Sequence, residues 1–254
     1  MWHSIMNQED KFANRRFWII GASSGIGAAL AKELDRRGSK LVLSARDQEA
    51  LSNLGADLRN EPVILPLDVS SRAELYAAGD VIGKGQLSGI LCLASLYDPS
   101  RLAEADPQKC QDIVAVNLLG SIHVSQLAPR LLRKHGKLVL FGSVAGYFGL
   151  PRGQAYSATK AAIINLAETL QVEMAPDIDV RLVCPGFVKT RLTDKNEFQM
   201  PALVDADQAA RDIVEGLARS GFEIHFPKRF TFVMKLMRAL PYWLSLRLAR
   251  RLAR

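Results

Sequence analysis

Cysteine is scarce and scattered in this chain. Its 254 residues hold three, Cys92, Cys110 and Cys184, with no CxxC pair. That spacing excludes a disulfide framework and a zinc site, and no metal is predicted. The three read as small buried hydrophobes of a protein in a reducing, cytoplasmic compartment. Long apolar runs are also missing. The longest stretch free of Asp, Glu, Lys and Arg covers residues 113–129, and it contains Asn117, Gly120, Ser121, His123, Ser125 and Gln126. It falls short of a membrane span. Residues 1–12 lack the apolar centre of a secretion signal. A third absence is local: residues 226–254 contain no Asp or Glu but eight Lys and Arg. Setting those aside leaves 25 basic and 26 acidic residues, a net of −1 within a total of +7. The body is near neutral, so no nucleic-acid partner is predicted.

What is present is apolar substance for a core. Hydrophobic residues make up 48% and charged residues 23%, which excludes a disordered or collagen-like chain. Strand-sized apolar runs occupy residues 17–20, 40–45, 63–67, 89–94, 137–141, 180–184 and 223–226. Several show little alternation, as strands buried on both faces do. Between them, residues 26–37, 48–59, 72–82, 107–134, 155–174 and 207–219 carry apolar positions at helical spacing. The alternation predicts an α/β domain, a doubly wound parallel sheet of about seven strands with helices on both faces. Ligands then bind at the carboxyl ends of the strands. The expected division is a flexible start at 1–14, one domain at 15–226 and a helical tail at 227–254.

Gly21-Ala22-Ser23-Ser24-Gly25-Ile26-Gly27 follows the first strand and opens the first helix. A turn that carries a pyrophosphate needs a tight bend, close backbone approach and close helix–strand packing. Glycines serve all three, and the helix N-terminus adds free N–H groups and positive dipole. Ser23 and Ser24 add hydroxyl donors. At the end of the second strand, where an acid would accept from a ribose 2′-hydroxyl, Ala45 and Arg46 stand instead. A guanidinium there suits a 2′-phosphate, so NADP(H) is the expected cofactor. The alternative is a solvated Arg46 with Asp47 serving the ribose of NAD(H). Asp68, closing the third strand, reads either as an acceptor for the adenine amino group or as a cap near Ser70 and Ser71.

Tyr156 and Lys160 stand four apart at the start of a helical pattern, so the phenol and ammonium project together. A free phenol, with a pKa of about 10, is a poor base near neutrality. A nearby ammonium, together with a positively charged nicotinamide, is expected to lower it. Ser143 follows the strand at 137–141, placed to hold an oxygen on which charge develops. Asn117 is expected to order a water linking Lys160 to solvent. Each residue alone has a plain reading as a helix-surface, turn or kink residue. In order, and on one strand-end face, the four read as a catalytic set.

The sequence here resembles the short-chain dehydrogenase/reductase family, in its branch of about 250 residues, through residues 16–220. The matching residues are Gly21-x-x-x-Gly25-Ile26-Gly27, Asp68, Asn117, Ser143, Tyr156-x-x-x-Lys160 and Pro185-Gly186-x-x-x-Thr190. The resemblance implies a Rossmann-like fold, an NAD(P) cofactor and an Asn/Ser/Tyr/Lys catalytic set. It further implies cofactor contacts from Val69, Ala94, Pro185, Gly186, Val188 and Thr190, with Asn117, Tyr156 and Lys160 also near the cofactor. Two departures stand out: Ile20 where the family has Thr, and Cys92-Leu93-Ala94-Ser95 where it has Asn-Asn-Ala-Gly. The implied reaction interconverts a carbonyl and an alcohol, with Tyr156 as acid and base. Alternatives are an NADPH-binding regulator with little turnover and a nucleotide-sugar epimerase or dehydratase. The last of these needs a longer C-terminal domain than the roughly 30 residues that follow the body.

Specificity is expected in residues 187–203 and 95–101. Phe148, Leu150, Phe187, Leu192, Phe198 and Met200 are candidate lining for a hydrophobic or lipid-like carbonyl. Family members pair through two long helices, here 107–134 and 155–174, so a homodimer or homotetramer is expected. In the tail, Arg247, Arg250, Arg251 and Arg254 fall on one helical arc and Leu244, Leu248 and Leu252 on the next, with Tyr242 and Trp243 at the entry. Phe230, Phe232, Val233, Leu236, Met237 and Leu240 offer apolar surface just before it. That pattern fits a helix lying on an anionic membrane surface, or one packed on the body or a partner, or a disordered tail.

Overall fold

A computed structural model describes residues 10–195 and 200–252, without the side chains of residues 251 and 252. Seven strands form one parallel sheet in the order β3-β2-β1-β4-β5-β6-β9. They are β1 (Arg16–Ile20), β2 (Lys40–Ser44), β3 (Val63–Ile64), β4 (Leu87–Cys92), β5 (Leu132–Phe141), β6 (Ile178–Pro185) and β9 (Glu223–Phe226). The sheet falls on all seven runs marked by the sequence. Strand order reverses between β1 and β4, which opens a crevice at their carboxyl ends.

Alternate residues of each strand feed two separate cores. Trp18, Ile20, Val42, Ile90, Leu138 and Leu182 face the side covered by α3 (Arg72–Ile82), α5 (Gly120–Leu131) and α7 (Gln154–Glu173). Phe17, Ile19, Leu43, Leu91, Val139 and Val183 face α1 (Gly25–Arg36), α2 (Gln48–Ala56) and α8 (Ala206–Leu217). Burial on both faces explains why the strands read as unbroken apolar runs.

Several boundaries differ from expectation for local reasons. The run at 63–67 pairs as a ladder only at Val63–Ile64, because Pro66 has no N–H to give. Leu65 and Leu67 still donate to Leu43 and Ala45 at 3.0 Å each. The long helix expected at 107–134 is three segments. They are α4 (Pro107–Ile113), a π-helical stretch (Val114–Leu119) and α5, after which Leu132 already belongs to β5. Between β5 and α7 lies α6 (Val144–Tyr147), and the two-residue strands β7 (Val188–Lys189) and β8 (Val204–Asp205) pair to close the segment between them. None of these three shows in the apolar pattern of the sequence.

Of the start expected to be flexible, residues 1–9 lie outside the described residues. Residues 10–14 form a turn closed by Ala13 N–H on the Asp10 carbonyl at 2.8 Å, with Phe12 buried against Phe17. At the other end, α9 (Lys228–Ala239) and α10 (Tyr242–Leu252) are helices separated by Pro241. Packing does not stop at residue 226: Thr231, Met234, Ser245 and Ala249 are buried. The inward side of α10 carries Ser245 and Ala249 with half-buried Leu244 and Leu248, while Tyr242, Trp243 and Leu246 are exposed. Leu244 and Leu248 of the leucine arc therefore lie on the inward side, as in the alternative in which the tail packs on the body, and the aromatic entry faces out; the side chains of Arg251, Leu252 and Arg254 lie outside the described residues. Among the described residues no helix is long and apolar enough to cross a membrane, and none form a group of three or more metal-ligating side chains.

Candidate active site

A cleft of about 410 Å³ opens at the strand-order reversal. Its floor is the glycine turn. The Gly21 N–H donates to the Ser44 carbonyl at 2.7 Å, which bends the chain as β1 ends. Gly21 has φ +94°, and a Cβ there would lie 2.6 Å from the Ala94 nitrogen. Gly25 has φ +54° and faces the Thr190 side chain. A Cβ on Gly27 would lie 2.1 Å from the Gly21 carbonyl oxygen, so α1 packs on the turn by glycine alone. Ser24 sits at the N-cap of α1 without using its hydroxyl as a cap, which leaves the first N–H groups of the helix open to a ligand. Ser23, Ser24 and Ile26 line the cleft with the glycines.

The far walls come from other strand ends. Arg46, Asp68, Val69, Ala94, Pro185, Gly186, Val188 and Thr190 all line the cleft. Asp47 accepts from the Ala50 N–H at 2.9 Å and so caps α2. Asp68 accepts from the Ser70 N–H and hydroxyl at 2.9 and 2.7 Å. Burial pushes its carboxyl up, but these bonds and the Arg46 charge outweigh it and hold it below the usual carboxylate value. At the two departures, Leu93 and Ala94 tie back to the Ile20 carbonyl through their own N–H groups at 2.8 and 3.0 Å. The Ser95 hydroxyl is buried, lines the cleft and has no hydrogen-bond partner. Helix N–H groups, a glycine turn that admits close backbone approach and an orphaned hydroxyl lining the same cleft fit a dinucleotide.

Three of the four candidate catalytic residues meet at the other end of the cleft. Ser143 follows β5 as the N-cap of α6, its Oγ accepting from the Ala145 N–H at 3.1 Å. Tyr156 and Lys160 project from the first turns of α7. Lys160 is 4% exposed, and its ammonium donates to the Phe141 carbonyl at 2.9 Å and lies 5.5 Å from the Tyr156 ring centroid. Burial pushes Lys160 down to about 8. Burial also pushes Tyr156 up to about 12, against a hydrogen bond with Ser143 that acts the other way. The expected lowering by Lys160 is thus absent in the protein alone: burial dominates, and only the Ser143 hydrogen bond opposes it.

Asn117 is used differently from the expectation. It is fully buried in the π-helical stretch and does not line the cleft. Its Oδ1 accepts from the Leu96 N–H at 2.7 Å, and its Nδ2 donates to the Leu96 carbonyl at 3.0 Å and to Thr159 Oγ1 at 3.2 Å. An amide engaged in this way clamps the β4 loop to α7, in place of the water-ordering side chain expected. A π-stretch at such a site supplies the extra backbone register that brings the amide there.

Within 95–101, one residue that no motif marks packs directly on Tyr156. The Tyr97 ring meets Tyr156 edge-on at 4.8 Å, and the Lys195 ammonium donates to the Tyr97 carbonyl at 2.7 Å. Leu192 lines the cleft, and Phe187 stacks at 5.7 Å on Phe230 of α9. Phe148 and Leu150 are half-buried against the core, Met200 is half-buried, and Phe198 lies outside the described residues.

Known proteins resemble this chain in sequence and fold. The family model for short chain dehydrogenases matches residues 16–200. A plant protein described as 11-beta-hydroxysteroid dehydrogenase A, from Arachis hypogaea, is 33% identical over 212 residues; the match covers 80% of this chain and 61% of that protein. The chain thus spans about three-fifths of that relative. Among solved structures, a short-chain dehydrogenase from Sphingobium yanoikuyae in complex with NADPH is 25% identical, with a TM-score of 0.76 over 84% of this chain and 88% of that one. A Burkholderia phymatum short-chain dehydrogenase/reductase in complex with NAD has the same fold, at 24% identity and a TM-score of 0.81, over 90% and 94% of the two chains. The chain belongs to the short-chain dehydrogenase/reductase family of oxidoreductases.

Proposed function

We propose that residues 15–226 form an NADP(H)-dependent oxidoreductase that interconverts a carbonyl and an alcohol on a small or lipid-like substrate. The observation that carries this reading is the convergence of Ser143, Tyr156 and Lys160 at the end of a cleft floored by the glycine turn. Gly21, Ser23, Ser24, Gly25, Ile26 and Gly27 would hold the pyrophosphate side, and Pro185, Gly186, Val188 and Thr190 the nicotinamide side. A nicotinamide bound there supplies or accepts a hydride at the reacting carbon. Tyr156, protonated at neutrality, gives its proton to the substrate oxygen in reduction. Ser143 holds that oxygen, and Lys160 stabilises the phenolate left behind. In oxidation the same groups act in reverse.

Arg46 supports NADP(H). It is exposed on the cleft wall, and the adjacent Asp47 carboxylate is committed to capping α2. Arg46→Ala should cut kcat/KM with NADPH by about 10–100-fold, the range for a lost charge-assisted hydrogen bond, while NADH activity stays constant. Equal losses with both cofactors would remove the assignment. The apolar mouth supports a hydrophobic carbonyl. NADPH oxidation over ketones, aldehydes and 3-oxoacyl thioesters tests the activity itself. Silence across that panel with tight NADPH binding would favour the regulator reading.

We further infer that the outer face of α9 and α10 rests on an anionic membrane surface of the cytoplasm. Phe232, Val233, Leu236, Tyr242, Trp243 and Leu246 are exposed there, in a segment with no acidic residue. Aromatic and apolar side chains beside arginines suit an interface. Trp243→Glu should abolish co-sedimentation with anionic vesicles, and equal pelleting of both proteins would end the idea. Exposed Val114, Leu119 and Val172 on the two long helical regions support association as a homodimer or homotetramer.

A further inference from the structure

Helix α6 has four residues, too few to hold itself together. Yet Ser143 sits at its start, and the position of that hydroxyl follows the position of α6. The question is what fixes so short a helix. One side rests on α7: a Cβ on Gly146 would lie 2.7 Å from the Lys160 carbonyl carbon and oxygen, so α6 touches the backbone at Lys160 itself. Behind it, a Cβ on Gly142 would lie 2.9 Å from Cys184 Sγ. The other side is held by a polar chain. Tyr147, the last residue of α6, is buried and donates its hydroxyl proton to the Glu223 carboxylate at the start of β9. Glu223 is also gripped by the Lys235 ammonium from α9. That ammonium stands 5.6 Å from the Tyr147 ring centroid, so it touches both members of the pair.

We propose that Tyr147, Glu223 and Lys235 are positioning residues that hold α6, and with it the Ser143 hydroxyl, against Tyr156. The inference rests on the reading of Ser143 as the residue that holds the substrate oxygen. A partly buried ion pair is weak as a source of stability, since desolvation offsets its attraction. It is strong as a source of direction, because the Lys235 bond fixes the carboxylate and the carboxylate fixes the phenol. The other polar groups facing this carboxylate agree with it. His225 lies beside it with its Nδ1 bonded to Thr231 Oγ1 at 2.6 Å, and its charge also favours the ionised carboxylate. Burial pushes Glu223 up, but Lys235 and Tyr147 hold it below the usual carboxylate value, so it is charged at neutrality. Burial, together with Cys184 and Glu223, pushes Tyr147 up, so it keeps the proton it donates.

α9 also braces the opposite side of the site. A Cβ on Gly186 would lie 3.1 Å from both the Phe230 ring and Pro227. Phe230 in turn carries Phe187. The first helix of the basic tail thus contacts both the serine-bearing segment and the Pro185-Gly186 turn. Lys235, one of the eight basic residues of residues 226–254, is spent inward.

The test uses the full chain with Tyr147→Phe, Lys235→Met and Lys235→Arg. Tyr147→Phe and Lys235→Met should each lower kcat for carbonyl reduction by about 10–100-fold, the scale for a catalytic group displaced by about 1 Å. NADPH affinity should stay near that of the parent, and Lys235→Arg should restore most of the loss. Hydrogen exchange should speed up at residues 144–147 in the two damaging variants while residues 16–44 keep their protection. Parental kcat with unchanged exchange at 144–147 overturns the proposal. So does a loss of protection and NADPH affinity throughout the sheet, which would mark the chain of bonds as general stabilisation. If the parent reduces no carbonyl, the proposed activity fails, and the exchange comparison alone decides whether the three residues hold α6.

Discussion

Tyr156→Phe should cut carbonyl reduction by about 10²–10⁴-fold, the usual contribution of one acid–base group, with NADPH affinity nearly unchanged. The substitution removes an oxygen and little else. The ring keeps its edge contact with Tyr97, and the Lys160 ammonium keeps its bond to the Phe141 carbonyl, since neither depends on the phenol. Stopped-flow reduction and a fluorescence titration with NADPH separate the two effects. Full turnover in this variant would end the catalytic assignment. The parent's pH profile carries the same signature. With Tyr156 pushed up to about 12, the phenol is protonated near neutrality, so reduction has its donor in place. Oxidation needs the phenolate and should quicken as pH rises. Lys160, pushed down to about 8, loses its charge above that pH, so the gain in oxidation should flatten there.

The second large effect is expected at Gly27. Gly27→Ala places a methyl 2.1 Å from the Gly21 carbonyl oxygen and 2.9 Å from its carbonyl carbon. Both neighbours are backbone, so no rotamer relieves the clash and α1 must move off the turn. Overpacking of this kind costs about 1–3 kcal/mol. In a chain of this size that lowers the melting temperature by about 2–4 °C per kcal/mol. The heavier loss falls on NADPH binding, by at least about tenfold, because the moved helix carries the N–H groups that face the pyrophosphate. Gly221→Ala, with nothing within 4 Å of the added methyl, is the control and should melt with the parent. Parental NADPH affinity in Gly27→Ala would show that the turn does not hold the dinucleotide.

Features set by local chemistry were legible in the sequence, and features set by distant contacts were not. Each strand announced itself because both faces are buried, so Trp18-Ile19-Ile20 and Leu138-Val139-Leu140 needed no alternation. The cleft lining was legible because glycine spacing and strand ends are local facts. The role of Asn117 was hidden, since apolar periodicity runs unchanged through an α-helix and a π-stretch, and its partner Leu96 lies 21 residues away. The direction of the Tyr156 shift was hidden too, because spacing reveals the nearby Lys160 but not the depth of the cleft. Lys235 reads as one more tail cation until the fold brings it to Glu223. The leucine arc of the last helix was visible, but amphipathicity alone does not say which side faces the body.

The two margins of the sheet are unequal, and this bears on assembly. β3 pairs over two residues, between Pro62 and Pro66, and offers almost no backbone for another chain to pair with. β9, at the opposite margin, is four residues long and ends before Pro227. The two-residue β3 ladder, closed off by a proline on either side, thus guards its margin of the sheet against the addition of a strand from another chain.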